Sequence, residues 1–179
     1  MAGVAGGVGE LTASPPTAAL PADLAALPRW GFADPGPLRD ELTALALAGT
    51  KTTTAGLLVE TELENEVIPQ PGDREVLIDS ADRPVAVIET VACPVRRLAD
   101  VDDQHAIDEG EGYANSAEFR VAHERYWNGY LDDLRERLGD PSFQLTDDTM
   151  IVCQRFRIVA RIDPETGSIA WLDPAGGDA

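Results

Sequence analysis

Residues 116–138 carry a single apolar stripe, Phe119, His123, Trp127, Tyr130, Leu134 and Leu138, at steps of four and three. That spacing keeps returning to one side of a 3.6-residue period and predicts an amphipathic helix over Ser116–Leu138. Asn115 stands before it as N-cap, with Glu118 three residues on as the reciprocal partner. A helix of this kind must lay its stripe on another layer, and the segments around it have a different period. Pro84–Ala92 alternates, with Val85, Val87, Glu89 and Val91 on one face and Ala86, Ile88 and Thr90 on the other. Thr52–Glu60, Arg74–Asp79 after the turn Pro71-Gly72-Asp73, and Thr149–Ile162 also read as strands, the last long enough to bend or bulge. Pro37–Ala48 sets Leu38, Leu42, Leu45 and Leu47 near helical spacing, between a first-turn proline and Gly49. Helix, strands, long helix, strand is the order of an α+β fold, a small curled sheet or barrel flanked by helices.

The length of 179 residues suits one domain with tails. Residues 1–27, rich in Ala, Gly and Pro, read as a flexible leader with a short helical turn at Ala22–Leu27. Residues 28–162 form the folded domain, and 163–179 a flexible tail. Thirty-two Asp and Glu against 14 Lys and Arg give a net charge of −18. That surplus disfavours duplex DNA and anionic membranes, because both are bound largely through cations. No apolar run approaches the ~20 residues that span a bilayer, and the first 28 residues lack the basic n-region of a secretory signal. Cys93 and Cys153 are too few for a disulfide framework or a four-thiolate zinc site. A cytoplasmic protein without metal or cofactor is the expectation.

Lys51 is the only lysine among 14 cationic side chains. In a chain so biased to arginine, position 51 has two readings. Either it uses the compact, tunable ammonium that arginine lacks, as a general base or oxyanion partner beside Thr52, Thr53 and Thr54, or it is a solvated helix-end cation. Glu89 shares its face with valines in a segment apolar on both sides, so it reads either as a partly buried carboxylate in need of a cation or as a barrel-end Glu that reaches water or caps a backbone group. Lys51 is the natural partner. The pair is expected within ~6 Å, the range over which opposite charges perturb each other, and lining one pocket.

Asp100, Asp102, Asp103, Asp108, Glu109 and Glu111 form an acidic run. Aligned on an EF-hand loop, it has Gln104 at the fifth position and His105 where the sharp turn requires glycine, so it reads as a solvated face. His123, between Phe119 and Trp127 on the stripe, reads as a core histidine with a satisfied hydrogen bond. Arg155, Arg157 and Arg161 read either as a solvent-facing salt-bridge row or as a local anion patch. No phosphate loop, dinucleotide fingerprint or nucleophile elbow is present.

Several separated motifs occur in one order. They are Trp30-Gly31-Phe32, Leu42-x-x-Leu45-x-Leu47-x-Gly49-x-Lys51-x-x-Thr54, Pro71-Gly72-Asp73 and Pro84-x-x-x-Ile88-Glu89-Thr90. Glu109-Gly110-Glu111-Gly112 with Ser116, His123 and Trp127 follows, then Cys153-Gln154-Arg155-Phe156. From Trp30 to Ile162 this resembles the ASCH-domain proteins, in particular the short bacterial subfamily with the Glu-Gly-Glu-Gly element. The resemblance implies a PUA-like small β-barrel with helices around a cleft, and a link to RNA. One activity known in the family, ribonuclease, would rest on Lys51 and Ser116. Another, amidohydrolysis of N4-acetylcytidine, would use Lys51, Thr54 and a glutamate, for which Glu89 is the candidate. A non-catalytic RNA or nucleotide reader is the third possibility. Tyr113 stands where the subfamily usually has Asp, and Thr54 and Gly56 where many members have Glu and Arg. Trp30, Glu111, His123, Trp127, Arg155 and Arg157 are the expected substrate contacts, without a metal. A nucleoside or a short single strand, stacked on Trp30 or Trp127, suits the charge better than long RNA. The sequence specifies no oligomeric state.

Overall fold

The computed structural model describes residues 20–172. Among these residues seven strands form one curled mixed sheet, a half-barrel, and six α-helices flank it. In chain order these are α1 (Ala22–Ala25), β1 (Arg29–Trp30), α2 (Pro37–Leu47), β2 (Thr53–Leu57), α3 (Leu58–Leu63), β3 (Arg74–Ile78) and β4 (Pro84–Ala92). Then come β5 (Val95–Arg97), α4 (Asp103–Asp108), α5 (Ser116–Asn128), α6 (Leu131–Leu138), β6 (Met150–Ile162) and β7 (Ile169–Trp171). The fold is α+β, as the order of periodicities predicts.

Strand β6 organises the sheet, whose main path runs β1-β3-β4-β6-β2 with β5 and β7 also on β6. Among the described strands only β1 runs parallel to its neighbour. Being 13 residues long, β6 pairs β2 through Ile151–Arg155 and β4 through Arg155–Arg161. Its pairing with β4 slips between Val87 and Ile88 and again between Thr90 and Ala92, and such bulges increase bend and twist. Apolar layers cover both faces. Leu77, Ile88 and Phe156 meet Phe32, Leu42 and Ala46 on the inner face, while Val76, Val87 and Val159 meet Leu24 on the outer one. A third cluster seats Phe119, Trp127, Leu131 and Leu134 on Leu57, Ile151 and Cys153.

Four expectations need correction. The stripe over 116–138 is two helices, because the chain turns at Gly129 and Tyr130, whose hydroxyl donates to Glu60 of α3 at 3.0 Å. Strand β2 stops at Leu57, and Leu58–Leu63, rich in helix-forming Glu and Leu, coils into α3. The segment read as the start of a tail contains β7, which pairs Ile162 with Ile169 and Ala160 with Trp171. The end of the supposed leader is packed rather than free, since Leu24 is buried in the outer-face cluster. Residues 1–19 and 173–179 of the leader and tail lie outside the described residues. No helix among the described residues is long and apolar enough to cross a membrane.

Candidate functional site

Lys51 is delivered by the C-terminus of α2. Gly49 adopts φ +78°, and the amides of Thr50 and Lys51 both return to the Leu45 carbonyl, at 3.0 and 3.1 Å. The segment after α4 then docks on the start of β2. Thr52 N–H donates to the Asp108 carbonyl at 2.8 Å, and the Thr53 hydroxyl donates to the His105 carbonyl at 2.9 Å. The approach is so close that a Cβ on Gly110, whose φ is +70°, would sit 2.5 Å from the Thr50 carbonyl oxygen. Glycine is the residue that such a contact admits.

This docking brings two carboxylates of the acidic run onto the lysine. Lys51 Nζ donates to Glu111 Oε1 at 2.6 Å, to Glu109 Oε2 at 3.2 Å and to the Glu109 carbonyl at 3.5 Å. The side chains of Lys51 and Glu109 are each 1% exposed, and that of Glu111 is 19% exposed. Nζ also lies 5.3 Å from the centre of the Phe32 ring, a cation–π distance. His105 Nε2 and His123 Nε2 each stand 3.6 Å from a Glu109 oxygen, too far for a hydrogen bond. Burial alone would raise the Glu109 carboxyl, but His105, Lys51 and His123 beside it reverse this and hold it at about 2. Burial lowers His123 below its ordinary value, against the pull of Glu109 and Glu111. The Tyr113 hydroxyl donates to Glu111 Oε2 at 2.9 Å, and burial next to that carboxylate pushes the phenol upward.

The cluster opens into a cleft of about 1420 Å³. Trp30, Tyr113, His123 and Tyr126 are among its aromatic walls, and Thr54 lies on its floor opposite Gln154 of β6. Gln154 Nε2 donates to the Thr90 hydroxyl at 2.8 Å and to Glu75 Oε2 at 3.2 Å. Burial raises the Glu75 carboxyl. Along the lining, carboxylates outnumber cationic side chains two to one. The cleft is therefore acidic outside the immediate reach of Lys51.

Of the residues expected at a site, Lys51, Thr54, Glu111, Trp30, His123 and Trp127 line this cleft. Glu89, Ser116, Arg155 and Arg157 do not. The expected Lys51–Glu89 pair does not form: Glu89 is opposite Arg74 and Arg157 in the ladders and bridges to both, at 2.9 and 2.5 Å. Those two arginines, Arg157 foremost, hold its carboxyl below the ordinary range. Ser116 opens α5, and its hydroxyl donates to Asp103 at 2.7 Å. Arg155 pairs with Asp108 at 2.7 Å and Arg157 with Glu89, and Arg161 donates to the Leu47 carbonyl, so all three are engaged rather than forming an open anion patch. His123 donates from Nδ1 to the Phe119 carbonyl, 3.1 Å away, and its ring stacks on Phe119, which fits the core reading while it also lines the cleft. Trp127 is 1% exposed and offers no free face for a base; Trp30, half-buried and edge-on to Phe32, keeps part of its ring open. Glu109, Glu75 and Gln154 were not anticipated as site residues. Glu109 was visible as one acid in a run read as solvated and as the first position of the Glu-Gly-Glu-Gly element, with no role of its own, and Glu75 only as a residue within the segment Arg74–Asp79 read as a strand.

The family model for the ASCH domain matches residues 28–160. Among solved structures, a protein from Enterococcus faecalis V583 is similar with a TM-score of 0.63 at 24% identity, over 75% of this chain and 77% of that one. An ASCH domain from Lactobacillus crispatus JV V101 is similar with a TM-score of 0.60 at 22% identity, over 73% and 77%. These likenesses show the shared fold. No curated protein matches the sequence. The chain belongs to the ASCH-domain family, whose members in general bind RNA.

Proposed function

We propose that the cleft hydrolyses an amide on a small uncharged substrate, with an N-acylated nucleoside of the N4-acetylcytidine type as the best match. The observation that carries this reading is that Lys51, Glu111 and Thr54 line one cleft whose remaining charge is acidic. Such a lining repels a polyphosphate and tolerates a neutral nucleoside. Glu89 gives up the acid role considered for it, and Glu111 takes it, as the carboxylate on Lys51 that still reaches solvent. Its oxygen removes a proton from water, the water oxygen attacks the acyl carbon, and Lys51 stabilises the resulting oxyanion. Collapse breaks the carbon–nitrogen bond as Glu111 returns the proton to the departing nitrogen, giving a carboxylic acid and an amine. Thr54 orients the carbonyl from the floor.

The ribonuclease reading needs Ser116 beside Lys51, and Ser116 is bonded to Asp103 outside the cleft. Incubation with N4-acetylcytidine, and separately with unstructured RNA, distinguishes the readings. Release of cytidine and acetate, reduced about 10²–10⁴-fold in Glu111→Gln, is the expected result. Cleavage of RNA that is lost in Lys51→Ala and Ser116→Ala, without nucleoside turnover, would replace this reading by the ribonuclease. Binding of short RNA without turnover of either would leave a reader.

A further inference from the structure

The hydrolysis above uses no atom of Glu75, Gln154 or Thr90, yet these three polar side chains from three neighbouring strands meet, and Glu75 and Gln154 line the cleft. Gln154 is 5% exposed. Its amide nitrogen carries two hydrogens, and both have acceptors, Thr90 Oγ1 and Glu75 Oε2. That pairing fixes which way the amide faces. The amide oxygen has no hydrogen-bond partner among the described residues, and neither does Glu75 Oε1, while both side chains line the cleft. Neither oxygen is among the fully buried atoms left without a partner, so both open to the cleft, where acceptors beside an apolar lining mark the place for a ligand's polar edge. Gln154 is also the ladder partner of Thr54, one strand spacing, about 4.8 Å, away. An edge held here therefore sits next to the residue proposed to orient the scissile carbonyl.

Resting on the reading of the cleft as a nucleoside amide site, we infer that Gln154 and Glu75 are its specificity-determining residues. They take a heterocycle edge in which an exocyclic N–H adjoins an unprotonated ring nitrogen. The Gln154 oxygen accepts the N–H, and the Glu75 carboxyl donates to the ring nitrogen. Burial raises the Glu75 carboxyl, against the hydrogen bond from Gln154 and with the charges of Glu66 and Asp73 adding to the rise, and a ring nitrogen beside it gives its proton an acceptor. Cytosine presents such an edge. Uracil presents the reverse, a carbonyl oxygen facing the Gln154 oxygen and an N–H in place of the bare nitrogen.

Binding rather than turnover tests this, so the outcome does not depend on hydrolysis. Cytidine and uridine, neither of which has an amide to cleave outside the ring, are titrated calorimetrically at pH 6 into the wild type, Glu75→Gln and Glu75→Met, with folding checked by thermal unfolding. The wild type is expected to prefer cytidine by at least about tenfold, since the mismatched edge leaves buried polar groups unpaired. Glu75→Gln, which still has an N–H to donate, retains the preference, and Glu75→Met brings the two affinities within about threefold. Equal binding of the two nucleosides by the wild type, no binding of either, or an unchanged preference in Glu75→Met overturns the inference. A cytidine preference without hydrolysis of N4-acetylcytidine would sink the hydrolase alone, and hydrolysis without the preference would sink this assignment alone.

Discussion

At the scale of single residues, the governing fact is that Lys51 and Glu109 are both shut away from water and depend on each other. Desolvating two ions costs several kcal/mol each, and the mutual attraction offsets this only while both are present. Lys51→Met leaves Glu109 buried without its cation, and an expected loss of about 3–5 kcal/mol follows, read by chemical denaturation. Glu111→Gln, at a partly exposed position, should change unfolding by less than about 1 kcal/mol while reducing turnover about 10²–10⁴-fold. A Glu111→Gln protein as unstable as Lys51→Met would mean that Glu111 is a structural ion. Acid should unfold the protein through the same cluster. The Glu109 carboxyl is lower in the folded state than its ordinary 4.5, so its contribution is complete above that value and is lost as pH falls toward about 2. His123 is also lowered on folding, from 6.5, and its contribution is lost over the range just below that value. Melting temperature should therefore fall from about pH 6.5 downward, and Glu109→Gln should flatten the part below 4.5. Lys51 was legible in the sequence because a lone lysine among arginines is a compositional anomaly. Glu109 was not, because an acid in a run of acids looks solvated until the loop carrying it is seen to dock.

Secondary-structure elements explain why Glu89 misled. Alternation puts Glu89 opposite Thr90 across the plane of β4, and a single residue decides which face a side chain joins. Alternation on its own cannot say which face is the cleft. The ladder settles this by setting Arg74 and Arg157 on either side of Glu89, while Thr90 meets Gln154. The docking of the loop after α4 carries a sharper consequence. At Gly110 a Cβ meets backbone atoms of Thr50 and Lys51, whereas at Gly112, also at positive φ, it meets open space. Gly110→Ala should cost about 1–3 kcal/mol more than Gly112→Ala and should weaken turnover, because relieving the clash lifts Glu109 and Glu111 off Lys51. Equal effects of the two substitutions on unfolding and turnover would show that the loop does not need this close approach. The Glu-Gly-Glu-Gly element was visible as a motif, but the reason for its first glycine lies in a contact with a segment 60 positions away.

For the whole molecule, the order of periodicities was enough to give an α+β fold around one curled sheet, since strands and helices advertise themselves by period. The curvature, the break at Gly129 and the pairing of β7 depend on tertiary contacts that no local pattern carries. Net charge, however, is a whole-chain property, and its consequence can be measured. With −18 overall and carboxylates in excess along the cleft, a single-stranded RNA finds few cations free to displace its counterions. Lys51 is held by two carboxylates, and Arg155 and Arg157 are bridged to Asp108 and Glu89. Each phosphate contacted on a single strand contributes a slope of roughly −0.7 in log affinity against log salt. Short RNA should therefore bind with a slope no steeper than about −2, equivalent to two or three contacts, and an uncharged nucleoside with a slope near zero. Fluorescence anisotropy across a salt series reads the first, and calorimetry in the same buffers reads the second. A slope of about −4 or steeper for RNA would require six or more phosphate contacts. The cleft would then not be the RNA surface, and the bridged arginines of β6 would have to open to form it.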